Sequence, residues 1–312
     1  MNRQEISFII PALNEEAHIG GVLDSIRKNV QGHLNYEVLV VDNGSRDRTV
    51  DIALEKGATC LHAPGCTISF LRNLGASEAR YEILVFLDAD VYLTKEWGER
   101  IVEGMEKLHD YPHIITGSFC GISDENNWIE RVWFAPRTQR SEEINYMNSG
   151  HLVVHRSLFM RVGGFDPEME TGEDYEFCYR ARMLGAQIEN DPGLKVVHAG
   201  YPKSIKHFFC RERWHARGDY KSLSALASSK PALVSLANLC MAVISIAGMI
   251  LCSYPWFTFP CAYLLFIAGV SVAATLHRCR GKLDSRVWGV IFLYVVYFTA
   301  RTVSLIDVAI KR

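Results

Sequence analysis

The 312-residue chain predicts an α/β domain, a mostly parallel sheet with helices on both faces, followed by a C-terminal transmembrane helical region. Three observations predict it. Apolar, β-branched runs such as "ISFIIPAL" and "YEVLVVDNGS" end in turn residues and alternate with stretches whose apolar positions fall at helical spacing. These runs are continuously apolar, the pattern of strands buried on both faces of a parallel sheet. From Pro231 to His277 there is no Asp, Glu, Lys or Arg, enough chain for two bilayer-crossing helices of about 20 residues each.

The elements follow in order. "NEEAHIGGVLDSIRKNV" puts Ile19, Val22, Leu23, Ile26 and Val30 on one face of a first helix. "RDRTVDIALEKGA" predicts a second, stopped by Gly57, and "GCTISFLRNLGASEAR" a third that leads into the strand "EILVFLDAD". In "TGEDYEFCYRARMLG", Phe177, Cys178, Ala181 and Leu184 recur at helical spacing, which sets Glu173 and Asp174 in a first helical turn. The local dipole there favours ionised carboxylates, and acids occupy such turns for stability alone as well as for chemistry. No internal repeat is apparent. Trp128, Ile129, Val132, Trp133 and Phe134 predict an apolar face ahead of a polar loop, either core or a surface for lipid or a lipid-linked acceptor.

The tail is a different material. Between Lys203 and Lys230 there are seven Lys or Arg against two acids, interleaved with aromatics. The segment reads as a helix at an anionic lipid surface or as a positively charged flank of the first span. "SYPWF" (Ser253 to Phe257) supplies a turn at the far interface, and "HRCRGKLDSR" (His277 to Arg286) the cationic excess of a cytoplasmic loop. The apolar stretch from Val287 to Ala300 is followed by Arg301 and Asp307, so it is either a third span with polar residues facing its neighbours or an interfacial helix. The expected organisation is a domain at 1–200, with halves at 1–95 and 96–200, a basic segment at 201–230, and spans near 231–253, 256–276 and 287–308. The opening apolar run is too short for the core of a secretory signal, so the front domain is expected in the cytoplasm, on the inner face of a multi-pass membrane protein.

A net charge of −2 leaves no global attraction for nucleic acid, so any charged ligand must meet a local patch. Nine cysteines without a C-x-x-C pair, three of them in the apolar tail, read as reduced packing thiols. In parallel α/β sheets ligands sit beyond the carboxyl ends of the strands. Three such ends are polar here: Asn14-Glu15-Glu16, Asp42-Asn43-Gly44 and Asp88-Ala89-Asp90. Two carboxylates one residue apart repel unless a cation lies between them, and hard oxygen ligands suit Mg²⁺ or Mn²⁺ bridging to a diphosphate. The plainer alternative is a solvated, helix-capping turn. For Asp42 that alternative is strong, since Asp-Asn-Gly-Ser is turn chemistry; its place at a neighbouring strand end also suits the ribose or base of a nucleotide.

"SFIIPALNEE", "VVDNGSRDRT", "RNLGASEAR", "VFLDADV" and "NSGHLVVHRSLFMRVGGFDPEMETGEDYEFCYRARMLG" together resemble, in matching order from Ile6 to about His198, a family 2 inverting glycosyltransferase with the Rossmann-like GT-A fold. The resemblance implies a nucleotide-sugar donor, usually a UDP-sugar, and Mn²⁺ or Mg²⁺. It implies that Pro11, Asn14, Glu15 and Asp42 line the nucleotide pocket with Arg72 near it, and that Asp88 and Asp90 form the metal and diphosphate motif. Gly150 matches a small residue under the donor sugar, and His198 a histidine that completes the metal site. Asp174 matches the base and Glu173 a residue that orients the acceptor. "CRERW" (Cys210 to Trp214) resembles the Q-x-x-R-W signature of processive synthases, but Cys210 replaces the glutamine, which favours addition of one sugar per encounter. The anchor points to membrane lipids and a lipid-linked or membrane-proximal acceptor as partners. A polyprenyl-phosphate glycosyltransferase and a non-catalytic membrane scaffold are the alternatives. A nucleotidyltransferase would want a basic residue in a Gly-rich loop, which "PALNEEAHIGG" lacks.

Overall fold

The computed structural model describes residues 4–123, 126–135, 144–220, 222–251, 257–279 and 284–311. The chain divides into two compact units, one of Met1–Asn126 with Phe134–Tyr201, the other of Asn127–Trp133 with Pro202–Arg312.

The first unit opens with β1 (Glu5–Ala12), α1 (Ile19–Val30), β2 (Asn35–Asp42), α2 (Thr49–Glu55), β3 (Thr59–His62), α3 (Ile68–Glu78) and β4 (Ile83–Leu87). It continues through β5 (Val91–Leu93), α4 (Lys95–Asp110), β6 (Ile114–Thr116), β7 (His151–His155), α5 (Arg156–Val162), α6 (Glu173–Met183), β8 (Gln187–Ile188) and β9 (Val196–His198). The main sheet has seven strands in the order β3-β2-β1-β4-β7-β6-β8. It is the expected mostly parallel α/β sheet, with β7 alone running against its neighbours β4 and β6. β1 and β4 are covered on both faces: Phe8, Ile9, Ile10 and all of Ile83 to Leu87 have no solvent exposure, and the one polar residue buried within β1, Ser7, donates to Glu37 at 2.6 Å. On one face Phe86, Phe159, Phe165 and Phe177 pack ring against ring, with centroids 4.9–5.4 Å apart. Phe177 is the inward side of α6, so this cluster fixes the helix that begins with Glu173 and Asp174. On the other face Trp97 packs on Phe8 and donates its indole N–H to His151 at 2.9 Å. Burial holds that histidine down at about 4, hence neutral.

The second unit holds α7 (Ile205–His215), a 3-10 turn (Ala216–Tyr220), α8 (Leu223–Ser228), α9 (Lys230–Leu251), α10 (Thr258–Cys279) and α11 (Val287–Lys311). The last three are long and apolar enough to cross a membrane. α10 runs to Cys279, and Arg278 near its end donates to the Trp133 carbonyl with its guanidinium 4.5 Å from that ring. α11 likewise runs beyond 308, and its charges have partners: Arg301 pairs with Asp219 and sits 3.8 Å from Glu212, while Asp307 takes both arms of Arg213 at 2.6 and 2.8 Å. Residues 253–256 of the expected "SYPWF" turn (Ser253 to Phe257) and part of the "HRCRGKLDSR" loop lie outside the described residues. Of the Trp128–Phe134 segment, Ile129, Val132, Trp133 and Phe134 are buried, which makes this face core. Trp133 packs on Phe208, Tyr294 and Tyr297.

Candidate active site

The site grows from the carboxyl end of β4. β4 delivers Asp88, and the chain turns at once into β5, which pairs antiparallel with β9 so that Val91 lies opposite His198. This ribbon brings two distant segments together: Asp88, Asp90 and His198 each offer a ligand atom within 4.8 Å of the others, and His198 Nε2 is 3.7 Å from Asp90 Oδ1. The His198 ring is held flat on Tyr201 at 4.3 Å, Tyr201 in turn on Phe134 at 4.0 Å, and the Tyr201 hydroxyl donates to the Cys120 carbonyl. Burial raises the Asp90 carboxyl above its ordinary range, Asp88 adds to the rise and His198 opposes it.

Two glycines are demanded by this geometry. A Cβ on Gly150 would stand 2.6 Å from Asp88 Oδ2 and 2.8 Å from Asn148 Oδ1, and one on Gly200 would run into the Asp90 carboxylate. A side chain at Gly150 would thus crowd Asp88 itself.

Arg72, on α3, is the residue that joins the two halves. It is 1% exposed, and its guanidinium donates to Asp88 at 2.6 Å and to Glu173 at 2.7 Å. Glu173 also accepts from the Ser149 hydroxyl at 2.9 Å. Asp174, beside it, accepts from the Tyr175 N–H at 2.7 Å, and burial together with the neighbouring Glu173 charge holds its carboxyl well above the usual carboxylate range.

The residues expected to line a nucleotide pocket lie at the ends of β1 and β2. Pro11 is a buried strand residue opposite Val41. Asn14 is the single non-glycine residue with positive φ (56°) among those described, and its side chain accepts from the Arg46 N–H while its own N–H donates to Ser45 Oγ. Such a conformation is one that asparagine tolerates better than most residues. The Glu15 and Glu16 N–H groups donate to Thr49 and Asp47, so the loops after β1 and β2 are stitched together. Asp42 is 2% exposed and accepts from the Gly44 and Ser45 N–H groups and stands 3.1 Å from His62 Nδ1, the turn chemistry its sequence suggested. Burial, reinforced by the Asp90 and Asp88 charges, pushes the Glu15 carboxyl up to about 7.

The sequence profile described as "Glycosyl transferase family 2" matches residues 7–166. The chain belongs to glycosyltransferase family 2. Among relatives, the 4,4'-diaponeurosporenoate glycosyltransferase of Staphylococcus haemolyticus is 41% identical over 182 residues, 47% of each chain. The pre-mycofactocin glycosyltransferase of Mycobacterium tuberculosis is 25% identical over 221 residues, covering 63% of this chain and 43% of that one. The chain thus spans about half the length of these two relatives. Among solved structures, a mannosyltransferase from Pyrobaculum calidifontis in complex with GDP-Man and Mn²⁺ superposes with a TM-score of 0.63 at 18% identity, covering 97% of this chain and 87% of that one. S. aureus TarS 1–349 in complex with UDP gives 0.51 at 15% identity, covering 99% and 92%. These likenesses concern the fold, GT-A.

Ser149, Gly200 and Tyr201 were not singled out in the sequence. Each acts on a site residue through a tertiary contact, and none carries a local pattern that would mark it.

Proposed function

We propose that this family 2 member transfers a single sugar from a nucleotide-diphosphate sugar, a UDP-sugar, to a lipid-linked or membrane-proximal acceptor, with inversion at the anomeric carbon and with its catalytic unit on the cytoplasmic side of the membrane. The observation that carries the reading is the clustering of Asp88, Asp90 and His198, tied through Arg72 to the Glu173–Asp174 pair. Two carboxylates and an imidazole fit a divalent ion, and the imidazole favours Mn²⁺ over Mg²⁺. When bound, the ion supplies positive charge against the departing nucleoside diphosphate.

The chain's own residues do the rest. Arg72 holds Asp88 in position from behind, and Tyr201 fixes the His198 ring. Asp174, raised by burial and by Glu173, is matched to receive a proton from an acceptor hydroxyl near neutral pH. Glu173, held by Arg72 and Ser149, orients that end of α6. Pro11, Asn14, Glu15 and Asp42 frame the side on which the nucleotide enters. The cationic segment before α9 and the three apolar helices keep the enzyme where a lipid-borne acceptor is found.

The test is nucleoside diphosphate release by the detergent-solubilised full chain across a panel of nucleotide sugars with Mn²⁺ or Mg²⁺, beside an Asp90→Ala control. Release with a UDP-sugar that disappears in Asp90→Ala is expected; no release with any donor overturns the reading. Asp174→Asn is expected to abolish transfer to a hydroxyl. Persistent transfer to a polyprenyl phosphate in that variant would make the phosphate the nucleophile instead.

A further inference from the structure

We propose that Glu82, His109 and His155 form a second metal site, suited to Zn²⁺, at the end of β4 opposite Asp88. Glu82 immediately precedes β4, His109 lies in the last turn of α4 and His155 ends β7, which pairs with β4 so that Ile83 faces His155. Three separate elements thus converge on one corner.

Their spacing is informative. Glu82 Oε2 lies 3.6 Å from His109 Nδ1 and 3.8 Å from His155 Nε2, and all three ligand atoms lie within 4.8 Å of one another. Those separations are too long for hydrogen bonds. Bonds of about 2.0–2.2 Å to a tetrahedral Zn²⁺ put neighbouring ligand atoms about 3.3–3.5 Å apart, and both separations from Glu82 lie within a few tenths of an ångström of that spacing. The two rings stand edge to face, with centroids 5.7 Å apart, so that neither blocks the other. Their side chains are 11% and 12% exposed, whereas that of Glu82 is 65% exposed, which leaves the fourth position to solvent.

The surroundings of His155 suit a ligand. Nε2 can bind only if the ring proton sits on Nδ1, and the Ser157 hydroxyl is 2.8 Å from Nδ1, ready to accept it. The Ser157 N–H that now reaches Nδ1 at 3.1 Å is in an exposed helical turn, where water can replace the ring. Glu82 is fixed in place by its carbonyl, which accepts from the Arg156 N–H at 2.7 Å. Two imidazoles and one carboxylate are a Zn²⁺ donor set, unlike the carboxylate-dominated cluster at the other end of the strand. Zn²⁺ here would clamp α4, β4 and β7 together.

The site is tested apart from sugar transfer, in full-length detergent-solubilised protein carrying Asp90→Ala so that the other cluster is silenced. Co²⁺ serves as the spectroscopic probe, since tetrahedral Co²⁺ absorbs visible light far more strongly than octahedral Co²⁺. One equivalent with the tetrahedral spectrum is expected, displaced by Zn²⁺, together with a Zn²⁺-dependent rise in melting temperature. Glu82→Gln and His109→Gln should each weaken binding by about 100-fold and remove that rise. Glu82→Gln changes an exposed side chain, so its unaltered metal-free melting curve serves as the folding control. Absence of binding in Asp90→Ala protein, or binding undisturbed by both substitutions, overturns the proposal.

Discussion

Arg72→Met is the substitution with the most calculable consequence. The guanidinium is 1% exposed and carries two charge-assisted bonds, to Asp88 at 2.6 Å and Glu173 at 2.7 Å. Methionine fills most of the volume but leaves both carboxylates facing an apolar chain. Deleting one partner of a buried pair costs about 3–5 kcal/mol. The Glu173 side chain is 8% exposed and bears that cost, whereas Asp88, at 30%, is partly solvated and contributes nearer the surface value of about 0–1 kcal/mol. A loss of about 3 kcal/mol follows, which for a domain of this size is a fall of about 6–12 °C in melting temperature. Calorimetry on the detergent-solubilised protein reads it. Arg72→Met combined with Glu173→Gln should recover much of the loss, since the uncompensated charge is then gone, and the double-mutant cycle should return a coupling of about 1–3 kcal/mol. A fall below about 2 °C, or strictly additive substitutions, would refute the idea that Arg72 holds the two halves together.

Gly150→Ala is expected to leave the fold intact and to cut nucleotide-sugar turnover at least about tenfold, because its Cβ would meet Asp88 at 2.6 Å; circular dichroism and nucleotide release measure the two effects. The raised Asp174 carboxyl predicts an acidic limb in the rate profile: kcat rises with pH as this group ionises, at a pH above the ordinary carboxylate range, and Asp174→Asn removes the limb along with the activity. The same group has the opposite effect on stability. With its folded pKa above its unfolded one, its contribution is complete below about pH 4 and is lost as pH rises through the raised value, which a series of melts between pH 4 and 8 would record. In the second unit, Arg301→Met should destabilise by about 3 kcal/mol because the guanidinium is 11% exposed, while Asp307→Asn, in a solvated pair, should cost less than about 1 kcal/mol; thermal aggregation of the two variants ranks them.

Much of the fold was legible because it rests on local patterns. Continuous apolar runs marked β1, β2 and β4, and the missing charges between Pro231 and His277 marked α9 and α10. Asp88 and Asp90 were legible for the same reason: a polar pair at the end of so apolar a strand is conspicuous without knowing its neighbours. His198 ends a shorter apolar run, a weaker mark, and its place in a metal site entered only through resemblance to the family. The links that make these residues a site were not legible. Arg72 pairs with residues on β4's end and on α6, Ser149 with Glu173, and Gly200 with Asp90, and each contact exists only once the sheet has formed. Asp42 shows the converse, since its turn partners Gly44 and Ser45 lie beside it in the sequence and could be read there. The Glu82–His109–His155 corner could not, because nothing in "YEILVF", "KLHDY" or "VVHRS" hints that they meet.

The β5–β9 ribbon has a consequence for biosynthesis. Asp90 leaves the ribosome early, but the strand that brings His198 to it is the last of the first unit to be made, directly ahead of the cationic segment and the apolar helices. A half-translated chain therefore lacks the Asp88–Asp90–His198 cluster on which the proposed donor binding rests. The cluster closes only as synthesis reaches the three long apolar helices.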